Sequence, residues 1–157
     1  MVAWESNVLQ GPRVKEGEEL EAAKRASRMS VLGAWKDYYK SAVTVGTETV
    51  GGKPAWKVDM TPTHGTSVEQ FYFEQDSGLL VKMAQTLPTA MGNIPVEMTI
   101  GDYRDVDGIQ TPFSMTQSAM SQNMALHIEK VTYNVEMPAG RFDLPPDVKA
   151  IVAKKKP

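Results

Sequence analysis

From residue 42 onward apolar side chains fall on alternate positions. Ile94, Val96, Met98 and Ile100 share one phase, while Pro95, Glu97 and Thr99 take the other. Leu79, Val81, Met83 and Leu87 are in phase, as are Ile109, Phe113 and Met115, and Met124, Leu126 and Ile128. This alternation predicts strands with one covered and one wet face. Turn residues separate the runs: Gly51-Gly52 between 42–50 and 53–60, Asp76-Ser77-Gly78 between 68–74 and 79–87, and Asp107-Gly108 between 94–106 and 109–117. Gly-Gly and Asp-Gly between apolar runs signal two-residue hairpins, whose central positions need φ > 0. A seventh strand is expected over 123–137. Val131, Tyr133, Val135 and Met137 have the opposite parity to Met124 and Leu126, which predicts a bulge near Glu129-Lys130. The connections are too short for crossover helices, so the strands should form an antiparallel meander.

Ahead of the strands the period changes. Leu20, Ala23, Ser27, Val31, Ala34, Trp35 and Tyr38 recur at helical spacing, and Glu18, Glu19 and Glu21 make an acidic first turn. One amphipathic helix is expected over 17–40, with Lys24, Arg25, Arg28 and Lys36 off its apolar stripe. Val2-Ala3-Trp4 reads as strand. Pro138, Gly140, Pro145 and Pro146 end the regular sheet, and 147–157 reads as a frayed, solvated tail carrying Lys154-Lys155-Lys156. The expected fold is α+β, mostly β: a curved meander of about seven strands packed on one helix.

A length of 157 residues makes this one domain, 1–157, large enough to fold without a staple. A net charge of −2 gives no ground for a nucleic-acid partner. With 0 cysteines there is no disulfide, thiolate metal site or Cys nucleophile. No apolar stretch approaches the ~20 residues of a membrane helix. Residues 1–16 hold no signal peptide, and the abrupt opening reads as a segment of a longer chain.

Candidate chemistry is sparse. His64 lies in the loop Thr61-Pro62-Thr63-His64-Gly65-Thr66, and His127 falls on a strand in the solvent phase. Two isolated histidines do not make a zinc site. Asp59, His64 and Ser67 can be assembled as a set, but no nucleophile elbow supports it, and loop polar groups facing water are the simpler reading. Nucleotide-binding glycine motifs are missing. No catalytic residue, metal or cofactor is expected. Methionine stands out, with 10 in the chain, and Met60, Met83, Met98, Met115, Met124 and Met137 lie in or beside strands. Met fills cores, and it also lines surfaces that adapt to varied apolar partners.

One helix is too narrow to cover seven strands. Trp35, Met83, Met98, Ile100, Phe113, Met115 and Leu126 are therefore expected to form a partly uncovered apolar surface. Its occupant would be a hydrophobic small molecule or acyl chain, and an exposed sheet edge leaves self-association open.

The segment Gly101-Asp102-Tyr103-Arg104-Asp105-Val106-Asp107-Gly108-Ile109-Gln110-Thr111-Pro112-Phe113 carries a "DYR-x-VDG-x-x-x-PF" pattern. It resembles the last strands of the LolA-like group of outer-membrane lipoprotein-sorting proteins. Phe71-Tyr72-Phe73-Glu74 through Ser77-Gly78-Leu79-Leu80 resembles that group's "yfD-xx-tGLl" hairpin, and Asn134 to Pro145, with Phe142, its closing element. The resemblance implies a half-barrel with an apolar concave face and a periplasmic or envelope location. It also implies a further helix and several strands ahead of the matched region. Two functions follow as expectations. One is non-enzymatic binding of a lipid or acyl chain. The other is a structural or protein-interaction module of a larger envelope protein with a self-filled groove.

Overall fold

The computed structural model describes residues 2–7, 11–27, 33–65, 67–89 and 92–154. A hairpin of β1 (Trp4–Asn7) and β2 (Gly11–Val14) precedes α1 (Gly17–Ala26). A single 3-10 turn at Trp35–Asp37 then leads into seven strands. They are β3 (Tyr39–Val50), β4 (Lys53–Pro62), β5 (Glu69–Glu74), β6 (Leu80–Thr89), β7 (Gly92–Val106), β8 (Ile109–Ala119) and β9 (Gln122–His127). Each pairs antiparallel with the next, in the spatial order β3-β4-β5-β6-β7-β8-β9. The sheet is an open, curved meander: β3 and β9 are its two edges and do not close a barrel. A second helix, α2 (Pro146–Lys154), packs against β2.

The hairpin chemistry behaves as the sequence implies. Gly51 and Gly52 lie at φ 58° and 82°, and Asp107 and Gly108 at 53° and 82°. Both are primed turns, whose twist matches that of the strands they join. Asp105 Oδ1 accepts a bond from the Gly108 amide at 3.1 Å and tightens the second turn. A third turn of the same hand, Met120-Ser121 (φ 47° and 63°), joins β8 to β9 without any glycine.

Four expectations need correction. The helix expected over 17–40 ends at Ala26, and of the remainder Arg28 and Val31 lie outside the described residues. Trp35 and Tyr38 instead belong to the 3-10 turn and the residue after it, and both pack on the buried cluster Tyr39, Met60 and Phe71. The last strand stops at His127, and no bulge forms at 129–130. The bulges lie elsewhere, at Lys40 and Val45 of β3 and at Val81 of β6. Because Val81 is the extra residue, Leu80 and not Val81 joins Met83 on the core. Finally, 146–154 is helical, with Val148 fully buried, and of the expected tail only 155–157 lie outside the described residues.

Candidate functional site

Register decides which side chains share a face, because directly paired residues of a sheet point the same way. Met83 pairs with Met98, Ile100 with Met115, and Met115 with Leu126. Val58 and Met83 both pair with Phe71. Phe113 stands two residues from Met115 on β8, hence on the same face. All six strand residues expected at the site therefore lie on one face of the sheet. Trp35 reaches that face through its packing on Tyr39, Met60 and Phe71.

The opposite face is polar. Lys57, Tyr72, Lys82 and Thr99 pair in a row across β4 to β7. The Lys57 and Lys82 ammonium groups sit 5.7 and 4.9 Å from the Tyr72 ring centroid. Lys82 also pairs with Glu48 at 3.3 Å and Glu97 at 3.5 Å. His127 belongs to this face, opposite Ser114, and is exposed.

Cover on the apolar face is uneven. Near β3–β6 it is closed by the chain itself: Phe71 is 1 % exposed, with the Tyr39 ring edge-on at 5.9 Å. α1 lies against β6. Its ten residues span about 15 Å, whereas seven strands extend about 29 Å across. Towards β9 the cover is lost: Leu126 is 51 % and Met124 63 % exposed. Met98, Ile100 and Met115 are half-buried, and Val96 and Phe113 are buried.

A buried charge cluster ties α1 to the sheet. Glu69, on the apolar face, accepts from Arg25 Nε at 3.1 Å and Nη2 at 2.8 Å, and from the Tyr39 hydroxyl. Arg25 also donates to the His64 carbonyl at 3.2 Å. Burial first, and the Glu69 carboxylate second, push the Tyr39 phenol well above its ordinary pKa. Beside the cluster is a cavity of about 20 Å³ lined by Glu18, Arg25, Ser67 and Glu69, room for about one water. No sequence signal pairs residues forty-four positions apart, so this network is not legible in the sequence.

At the far end of the same face, Arg104 lies over the Phe113 ring with its Cζ 4.3 Å from the centroid. Its Nε and Nη2 donate to the two oxygens of Asp102 at 3.0 and 2.6 Å. Asp102 occupies the left-handed region at φ 50°, unusual for a non-glycine inside a strand. The Arg104 guanidinium holds the Asp102 carboxyl below its usual range.

A larger cleft of about 490 Å³ opens where Val50, Lys53, Glu74, Thr99, Gly101 and Tyr103 meet. Register puts these residues on the polar side, and of the expected site residues only Ile100 touches the cleft. The Glu74 carboxylate there is lowered by Lys53 and then by Ser77, whose hydroxyl donates at 2.5 Å.

Asp59 accepts from Gln70 at 3.2 Å, and His64 is exposed. Among the described residues, no three His, Cys, Asp or Glu side chains cluster as metal ligands would, and no helix is long and apolar enough to cross a membrane. Comparison with protein-family models, with curated proteins and with solved structures found no match to this chain.

Proposed function

We propose that this chain binds an apolar ligand, a lipid or acyl chain, on the helix-side face of its half-barrel and performs no covalent chemistry. The observation that carries this reading is the uneven cover of one continuous apolar face. Met98, Ile100 and Met115 continue the core seen at Met83 and Phe71, but the face ends at Met124 and Leu126, each more than half exposed. Soluble proteins seldom leave a broad contiguous apolar patch without an occupant. The methionines among these residues suit a lining that must adapt to flexible chains. The motifs resembling the LolA-like group point the same way, towards a carrier in the periplasm or envelope.

The test is titration with a fluorescent fatty acid. Emission should rise and saturate, and Met98→Glu should weaken binding at least tenfold while the melting transition remains cooperative. A charge at the centre of an apolar contact must be desolvated without a partner, which is the source of the loss. A probe that never saturates, or binds Met98→Glu as well as the parent, defeats the proposal.

One observation favours a second reading. Trp35, Tyr38, Tyr39 and Met60 already fill the β3–β6 half of the face. If a partner's side chains fill the other half in the same way, the domain is a structural module of a larger envelope assembly.

A further inference from the structure

We infer that the ligand of the helix-side face is an amphiphile with an anionic head, and that Arg104 receives the head; this rests on the reading that the face takes an apolar ligand.

The cations of the sheet are unevenly divided between its two faces. Among the described residues of β4 to β9, register sends Lys53, Lys57 and Lys82 to the polar face. Arg104 is the one Lys or Arg of those strands on the apolar face, opposite Thr111. A cation with no other purpose would be better solvated on the polar side. Arg25, which also reaches the apolar face, is differently placed: its side chain is 13 % exposed and locked to Glu69. Arg104 is 54 % exposed.

Its geometry suits an incoming carboxylate or phosphate. The guanidinium Cζ lies over the Phe113 ring, 4.3 Å from its centroid, a contact that consumes none of its donors. Only Nε and Nη2 are engaged by Asp102, so the Nη1 donors remain for an anion. Asp102 acts as a placeholder. Its carboxylate neutralises Arg104 when the face is empty, and the pair, 46 % exposed on the aspartate side, is open to exchange with an incoming anion. An aspartate held at φ 50° solely for a surface ion pair gains little, since exposed pairs add little to stability. Holding a guanidinium in register gives the conformation a use.

The tail then has a defined direction. From Arg104 the apolar face runs down β7 past Ile100 to Met98, about 20 Å at the rise of a strand. Met115 and Leu126 flank it on β8 and β9. A head on Arg104 thus lays an extended acyl chain along the half-buried residues, away from the part filled by Phe71 and Tyr39.

The experiment is displacement of N-phenyl-1-naphthylamine, a neutral apolar fluorophore, by dodecanoate and by dodecanol. For the parent, dodecanoate should displace at about tenfold lower concentration than dodecanol, the worth of one charge-assisted interaction. Arg104→Gln should abolish that preference and leave the dodecanol curve in place. Asp102→Asn keeps a residue tolerant of φ > 0 but removes the competing charge, so it should enlarge the preference. Fluorophore binding with equal displacement by acid and alcohol overturns the anionic head and leaves the apolar site standing. A preference that survives Arg104→Gln overturns the role of Arg104. No fluorophore binding overturns the apolar reading and this inference with it. Should Arg104→Gln unfold the protein, Asp102→Asn decides: an unchanged ratio counts against the proposal.

Discussion

Tyr39 donates its hydroxyl hydrogen to Glu69 Oε2, and Arg25 of α1 holds the other carboxylate oxygen, Oε1. Helix, edge strand and an interior strand thus meet at one buried carboxylate. Tyr39→Phe removes the donor and keeps the ring on Phe71, so it should destabilise by about 1–3 kcal/mol in urea titration at neutral pH. The tyrosine's folded pKa is raised above its ordinary 10.0, by burial first and by Glu69 second. Its contribution is therefore fully present below pH 10.0 and lost as pH climbs through the folded value. The difference between the parent and Tyr39→Phe should narrow in alkali. A gap that widens instead would contradict the buried, protonated phenol.

The hairpins were legible because their chemistry is local. Gly51-Gly52 and Asp107-Gly108 carry the φ > 0 requirement in their own residues, and alternation fixes which side chains share a face. The six strand residues expected at the site lie on one face for that reason. What local pattern could not show was length and tertiary override. Trp35 and Tyr38 keep helical spacing with Ala23, but a 3-10 turn packs them on Tyr39 and Phe71 just as well. Val131 and Tyr133 alternate like strand residues. Tyr133 instead meets the Thr111 hydroxyl at 2.7 Å, outside any ladder. Pro145-Pro146 reads as a stop, yet Pro146 is the first residue of α2, where a missing N–H is harmless. Arg104 carries no local signal of its own in the sequence. Its place over Phe113 depends on a pairing of β7 with β8 that the sequence implies but the eye does not project.

Turn chemistry gives a second prediction with two signs. Gly108→Val puts a β-branched residue at φ 82° and should destabilise by about 1 kcal/mol or more. Met120-Ser121 sits at φ 47° and 63° without help from glycine or asparagine. Changing it to Asn-Gly should stabilise by about 1 kcal/mol, because these residues adopt that turn without the strain. Both effects are read as shifts in the thermal midpoint. Equal shifts of the same sign would contradict a primed turn at 120–121.

Acid should loosen the front of the molecule. Arg13 bonds Glu5 at 2.6 Å and forks onto Glu19, joining the β1–β2 hairpin to α1. Glu19 is lowered chiefly by its bond to Arg13, and Glu5 chiefly by Lys15. Carboxyls with lowered folded values add stability above the ordinary 4.5, and lose it as pH falls through the folded value. The parent should therefore lose melting temperature below about pH 4.5 more steeply than Arg13→Gln. High salt should flatten the contrast, since these groups are partly in water. Parallel curves for the two proteins would remove the cluster as a source of acid sensitivity.

Val148 tests whether α2 belongs to the domain. It is 0 % exposed, although it lies in a stretch whose composition reads as a tail. Its helix begins at Pro146, and the Lys149 amide bonds the Pro145 carbonyl at 2.9 Å, so the turn is formed from its first residues. α2 packs against β2, and β2 is tied to α1 through Arg13 and Glu19. Removing two methyl groups from a fully packed site leaves a cavity as well as a lost transfer term. Val148→Ala should destabilise by about 1–3 kcal/mol. The control is Ile151→Ala on the same helix, where the side chain is only half-buried and the loss should be smaller. Amide exchange separates local from global effects. If α2 is integral, Val148→Ala should speed exchange in β2 as well as in α2. If α2 merely rests on the surface, exchange will quicken in 146–154 alone, the global midpoint will not move, and the helix is an appendage of the half-barrel.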